Sequence, residues 1–116
     1  MKPLLTEMYK AKHTVIRAIR NYFEKTGSIE VFTPCLNRYP NLDPNIFPVE
    51  CEVEKSDGRR FTAYLHTSPE YNMKKLLPVL KNDIHQICHV FRNYEGSNRH
   101  TVEFTMLEWY RLGYSR

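Results

Sequence analysis

The stretch from Ile84 to Leu112 limits the possible folds more than any other part of this chain. Ile84–Phe91 and Val102–Leu112 alternate apolar and polar residues, the mark of strands that bury one face. Between them lies a polar loop, so the pair reads as a strand–loop–strand unit. On the second strand Phe104, Met106, Glu108, Tyr110 and Leu112 share one face, and Glu103, Thr105, Leu107, Trp109 and Arg111 share the other. Arg92 closes the first strand, and the loop carries the basic pair Arg99 and His100. Cations for phosphates and an aromatic face for a base are what a nucleoside triphosphate requires.

The rest of the chain surrounds this unit with helices and further antiparallel strands. From about Thr6 to Lys25, Met8, Ala11, Val15, Ile19, Tyr22 and Phe23 recur at three- and four-residue steps, which predicts an amphipathic helix. Thr26-Gly27 supplies its stop, because glycine takes the left-handed conformation at little cost. Ser28–Thr33 follows as a β-branched strand ended by Pro34. Cys35–Pro48, rich in proline and asparagine, reads as a loop. Val49–Lys55 and Arg60–His66 form a hairpin turned at Asp57-Gly58. Ser68-Pro69-Glu70 opens a second helix: Ser68 can cap it, Pro69 fits the first position, and Glu70 complements the dipole. Its stripe is Met73, Leu76, Leu77 and Leu80, with Pro78 placed to shorten or kink it. The expected class is α+β.

Composition removes several alternatives. The 116 residues suffice for one domain with one core, and the hydrophobic content of 41% argues against a disordered tail. No apolar run approaches the ~20 residues of a membrane span, and the N-terminus carries no long apolar leader segment. The expected location is the cytoplasm, where Cys35, Cys51 and Cys88, odd in number and far apart, stay reduced. The net charge of +4 is compatible with phosphates, but the charges are interspersed and no Lys/Arg block reads as a nucleic-acid arm. His85, Cys88 and His89 lack a standard zinc spacing and alternate across a strand, so no metal site is expected.

The segment Phe91-Arg92-Asn93-Tyr94 through Glu103-Phe104-Thr105 to Glu108-Trp109-Tyr110-Arg111 resembles motif 2 of the class II aminoacyl-tRNA synthetases. The wording is most similar to the lysyl-tRNA synthetase branch, and within it to the shorter lysyltransferases that modify elongation factor P. The helix and strand ending at Thr33-Pro34, about residues 12–34, resemble motif 1. Thr67-Ser68-Pro69-Glu70-Tyr71 with Met73-Lys74-Lys75-Leu76, residues 67–80, resembles the family's substrate-side helix start. Motif 2 covers about 84–112. The resemblance thus implies a partial class II synthetase-like catalytic domain over 1–116, with an antiparallel sheet flanked by helices.

The resemblance also implies roles. Arg92 would stabilise charge on the α-phosphate while an amino acid is activated as its adenylate; on composition alone it is a surface arginine with a salt bridge. Asn93, Tyr94, Arg99, His100, Thr101 and Phe104 would complete the ATP side, with Phe104 stacking on adenine. Ser68, Pro69, Glu70, Glu108 and Tyr110 would take the amino acid, Glu70 anchoring its ammonium. Without the motif, the Phe104–Tyr110 stripe reads as core packing, Ser68-Pro69-Glu70 as a helix cap, and Glu108 as half of an ion pair or a ligand for a cation. ATP with Mg2+ is the implied cofactor and lysine the implied substrate. Elongation factor P or tRNA is the implied acceptor. A homodimer through the motif 1 helix is implied as well.

Two positions depart from the family pattern. Tyr94 replaces the glutamate of Arg-Asn-Glu, and Thr101-Val102 replaces the Asn-Pro before Glu-Phe-Thr. The sequence ends at Arg116, before the family's glycine-rich motif 3. The expectation is an exposed apolar patch where further strands belong, covered by a dimer partner, by repacking, or by a companion chain that supplies motif 3. Two readings follow: an adenylating ligase, or a non-catalytic module that dimerises or binds a partner. A non-specific RNA binder has less support.

Overall fold

A computed structural model of the chain describes residues 2–94 and 101–113. The elements run α1 (Lys2–Lys25), β1 (Ile29–Glu30), β2 (Leu36–Asn37), β3 (Val49–Glu54), β4 (Arg60–Leu65), α2 (Glu70–Leu80), β5 (Ile84–Phe91) and β6 (Glu103–Tyr110). They form two three-stranded sheets, β1-β5-β6 and β2-β4-β3, with only the β1–β5 pair parallel. The architecture is α+β, a fragment of the class the sequence predicts.

Helix α1 starts a turn earlier than its apolar stripe. It ends as expected: Gly27 is left-handed at φ 79°, its N–H donates to the Glu24 carbonyl at 3.1 Å, and Ser28 N–H reaches back to the Phe23 carbonyl at 3.1 Å. Both bonds satisfy carbonyls that the helix end would leave open. Phe23 is the buried side chain of the helix among the described residues. Its ring stacks on His85 with centroids 4.4 Å apart and lies against Trp109 at 5.9 Å. Arg20 grips the Glu30 carboxylate with Nε and Nη2, the shortest contact being 2.9 Å. Ile19 is half-buried, and the stripe otherwise faces outward, with Met8 59% and Val15 55% exposed. The radius of gyration is 16.8 Å, against about 13 Å for a compact domain of this size, and this projecting helix explains the excess.

Strand β1 is shorter than the predicted Ser28–Thr33. Its ladder continues through Val31, whose N–H donates to the His85 carbonyl at 2.9 Å. Beyond that a side chain takes over: Gln86 accepts the Thr33 N–H at 3.0 Å and donates to Thr33 Oγ1 at 2.9 Å. The chain therefore arrives at Pro34 tethered to the middle of β5.

The β3–β4 hairpin turns through a three-residue loop. Gly58 is left-handed at φ 88° and bonds the Lys55 carbonyl at 2.9 Å, and Lys55 N–H bonds the Arg59 carbonyl at 2.8 Å. Helix α2 runs through Pro78 to Leu80 and ends on left-handed Lys81, whose N–H bonds the Leu77 carbonyl. At its start the N-cap is Pro69, one residue later than the predicted Ser68, and Ser68 Oγ reaches only the Glu70 N–H at 3.4 Å. The core is formed where α2 covers one end of the larger sheet: Met73 packs with Val31, Ile84 and Tyr110, flanked by Leu76 and Leu77. Among the described residues β6 pairs with β5 alone, so its far side is a sheet edge.

Candidate functional site

Strand register assembles the site floor. Ile84, Gln86, Cys88 and Val90 of β5 stand opposite Tyr110, Glu108, Met106 and Phe104 of β6, and directly opposed residues share a face. Helix α2 roofs the Tyr110 end. The Phe104 end is reached by the segment that joins β4 to α2, where Phe91 N–H bonds the His66 carbonyl at 3.0 Å.

At the Phe104 end lies Arg92. Its backbone is fixed by N–H to the Val102 carbonyl at 2.8 Å. Its guanidinium rests 5.1 Å above the Phe104 ring, and Nε and Nη2 both point at the Thr67 carbonyl, at 3.4 and 3.3 Å. No carboxylate pairs with it among the described residues. A half-buried cation held by a ring and a single carbonyl keeps charge to spare for an anion.

At the other end the side chains form a chain of contacts. Tyr110 Oη donates to Glu108 Oε1 at 2.7 Å, which gives the carboxylate on the sheet face its partner. Lys74 Nζ lies 5.9 Å from the Tyr110 ring and 3.3 Å from Glu70 Oε2. Tyr110 is itself a core residue, 5% exposed, so only its hydroxyl end is turned toward polar chemistry. Pro69 is fully buried, Ser68 half-buried and Glu70 exposed at the mouth of this turn.

Other predicted site residues are placed less centrally. Asn93 N–H bonds the Phe47 carbonyl at 2.7 Å, and its Oδ1 accepts the Tyr94 N–H at 3.1 Å. Tyr94 is left-handed at φ 66°, exposed, with its ring edge-on to Phe47 at 5.5 Å. Thr101 Oγ1 donates to the Glu103 carbonyl at 2.6 Å. Arg99 and His100 lie outside the described residues. Cys88, on the floor beside Glu108, has its thiol pKa pushed up to about 11, first by burial and then by Cys35 and Glu108. His85 points to the opposite face, bonds Ser28 Oγ at 2.8 Å, and has its pKa lowered chiefly by burial. All three cysteines are free, and among the described residues no group of three or more His, Cys, Asp or Glu is placed to hold a metal ion. No helix among the described residues is long and apolar enough to cross a membrane.

The family model of the class II tRNA synthetases (D, K and N) matches residues 1–114. This chain belongs to that family. A relative from Aquifex aeolicus, described as an elongation factor P–(R)-beta-lysine ligase homolog, is 51% identical over 98 residues, 84% of this chain and 33% of the relative. Elongation factor P–(R)-beta-lysine ligases of Actinobacillus succinogenes and Mannheimia succiniciproducens are 45% and 44% identical, covering 87% and 94% of this chain. The chain spans about a third of the length of the relatives it matches.

The stretch from Cys35 to Pro48 proves to be a structural part of the candidate site, which its composition conceals. Asn37 Oδ1 accepts Asn72 Nδ2 of α2 at 2.8 Å, Asn41 binds the Thr67–Ser68 segment, and Phe47 bridges to Asn93. Each tether joins residues at least 26 positions apart, so no local pattern announces it. Lys74 was within reach of sequence reasoning, because it stands four residues after Glu70 on a helix.

Proposed function

We propose that this chain forms the motif 1 and motif 2 part of an ATP-dependent ligase that activates a lysine-type amino acid as its adenylate. The observation that supports this most is Arg92: a guanidinium without a carboxylate partner among the described residues, lying over Phe104 at one end of a polar-lined floor. Six residues of strand separate Phe104 from Tyr110, about 20 Å, enough to seat a nucleotide and an amino acid end to end.

On this reading ATP enters at Phe104, whose ring takes the base, while Arg92 meets the α-phosphate. The amino acid lies toward Tyr110, its ammonium drawn to Glu70 and Glu108. Its carboxylate attacks the α-phosphorus, pyrophosphate leaves, and charge on the non-bridging oxygens is stabilised by Arg92. Asn93, Tyr94, Arg99, His100 and Thr101 belong to the ATP side, and Ser68 and Pro69 shape the amino-acid turn. Mg2+ accompanies the phosphates. The names of the relatives support elongation factor P over tRNA as acceptor of the activated group. The location that goes with this reading is the cytoplasm. The outward stripe of α1, with Met8 and Val15, supports a homodimer through that helix, and the open β6 edge supports further chain or a companion polypeptide beside it.

The test is calorimetry with Mg-ATP, with and without lysine, on wild type and Arg92→Ala. Binding that Arg92→Ala weakens at least tenfold supports the reading. Absence of binding at millimolar ATP removes it for this chain, leaving the second reading, a partner-binding module.

A further inference from the structure

Asn41 lies in the proline- and asparagine-rich loop, seven residues beyond Pro34, and has no place in either motif. Its side chain nevertheless makes two long-range bonds at one point of the fold. Oδ1 accepts the Thr67 N–H at 3.0 Å, and Nδ2 donates to the Ser68 carbonyl at 3.4 Å. Those groups belong to the peptides on either side of the Thr67–Ser68 peptide. The carbonyl of that middle peptide, Thr67 O, is the one that receives Arg92 Nε and Nη2.

We propose that Asn41 is a positioning residue for Arg92, acting through the Thr67 carbonyl. The physical argument is one of degrees of freedom. The direction of the Thr67 carbonyl is set by rotation about ψ of Thr67 and φ of Ser68. With the flanking peptides both clamped by one planar amide, that rotation is confined, and the carbonyl presents a fixed acceptor. Thr67 is 1% exposed, so its N–H has no water to fall back on when Asn41 is removed. Phe91 N–H also holds the His66 carbonyl of the preceding peptide at 3.0 Å, but among the described residues no other side chain bonds the Thr67 N–H or the Ser68 carbonyl. Thr67 Oγ1 is buried without a partner, and His66 spends Nε2 on the His89 carbonyl at 2.7 Å with Nδ1 unpartnered. Among the described residues the other contact of the guanidinium is the Phe104 ring, 5.1 Å away, a stacking contact that is less directional than a hydrogen bond.

The inference rests on the nucleotide reading for its consequence, but the link between Asn41 and Arg92 can be read without nucleotide. On the full chain, the 15N–1H signal of Arg92 Nε is assigned by its loss in Arg92→Lys and compared between wild type and Asn41→Ala. The expected result is a shifted or broadened Nε signal in Asn41→Ala, with ATP affinity lowered about three- to tenfold, the range of one or two hydrogen bonds. In an Arg92→Ala background the same substitution should leave ATP affinity unchanged, which a general loosening of the fold would not do. An unmoved Arg92 signal in folded Asn41→Ala overturns the inference whether or not ATP binds. An additive loss of affinity in the Arg92→Ala background overturns it too. A shifted Arg92 signal in Asn41→Ala, together with a wild type that ignores ATP, supports the Asn41–Arg92 link and overturns the nucleotide reading instead.

Discussion

Replacing Gln86 with leucine should destabilise the chain by about 2 kcal/mol. The side chain is 1% exposed and lies in the middle of β5, where a leucine of similar size fits the space. What leucine cannot supply is the double bond to Thr33, accepted from its N–H at 3.0 Å and donated to its Oγ1 at 2.9 Å. Each net hydrogen bond contributes about 1 kcal/mol, and a buried N–H left unpaired costs about 1–3 kcal/mol. Thr33 is half-buried, so water recovers part of that cost, and leucine's added apolar burial offsets roughly another kcal/mol. The sum stays near 2 kcal/mol. Urea unfolding followed by tryptophan fluorescence would measure it, because Trp109 lies opposite His85, the neighbour of Gln86. An unchanged m-value with a lower midpoint is the expected form. Faster amide exchange at Val31 and Thr33 should accompany it, since the segment loses the side-chain bonds that continue its backbone ladder. A loss below about 0.5 kcal/mol, with exchange unaltered, would show that the Gln86–Thr33 bonds do not hold the approach to Pro34.

Other expectations follow from burial and charge. Burial lowers the His85 pKa below 6.5, so the unfolded imidazole binds its proton at higher pH than the folded one; stability should fall as pH drops below about 6.5, and that slope should flatten in His85→Asn when melting curves are compared across pH 5–8. A thiol pushed up to about 11 carries about a hundredfold less thiolate than one at 9, so mass spectrometry after brief iodoacetamide treatment at pH 8 should find exposed Cys35 alkylated long before Cys88. Val15→Asp should leave the melting temperature within a degree or two and lower the association measured by light scattering; a wild type that stays monomeric at every concentration would rule out pairing through α1. Met73→Ala, at the centre of the core, should cost about 2–5 kcal/mol in the same urea assay.

Local periodicity made much of this fold legible. The helical stripe ending at Phe23, the Asp57-Gly58 hairpin and the alternation of Phe104 through Tyr110 are all set by neighbours within a few residues. Sequence patterns report such neighbours directly. The same alternation grouped Phe104, Glu108 and Tyr110 on one face of their strand and His85 and His89 on one face of theirs; the strand register then set the two groups on opposite faces of the sheet. The motif wording extended that to Arg92 and Glu70, although the structure alone shows that Glu70 is engaged by Lys74 and that Tyr110 is core with a polar tip.

The long-range tethers were not legible. Gln86 to Thr33 and Asn41 to Thr67 and Ser68 each join segments brought together only when the sheets close. Asparagine in a proline-rich stretch has the composition of any turn, and a glutamine in a strand has that of any solvated face. Their roles depend on which carbonyls and N–H groups lose water in the folded state. That is a property of packing, whereas helix, strand and face are properties of the neighbouring residues. The sequence therefore determined the elements and the strand face that carries the candidate site. Only the tertiary structure decided what holds Arg92 in place on that face.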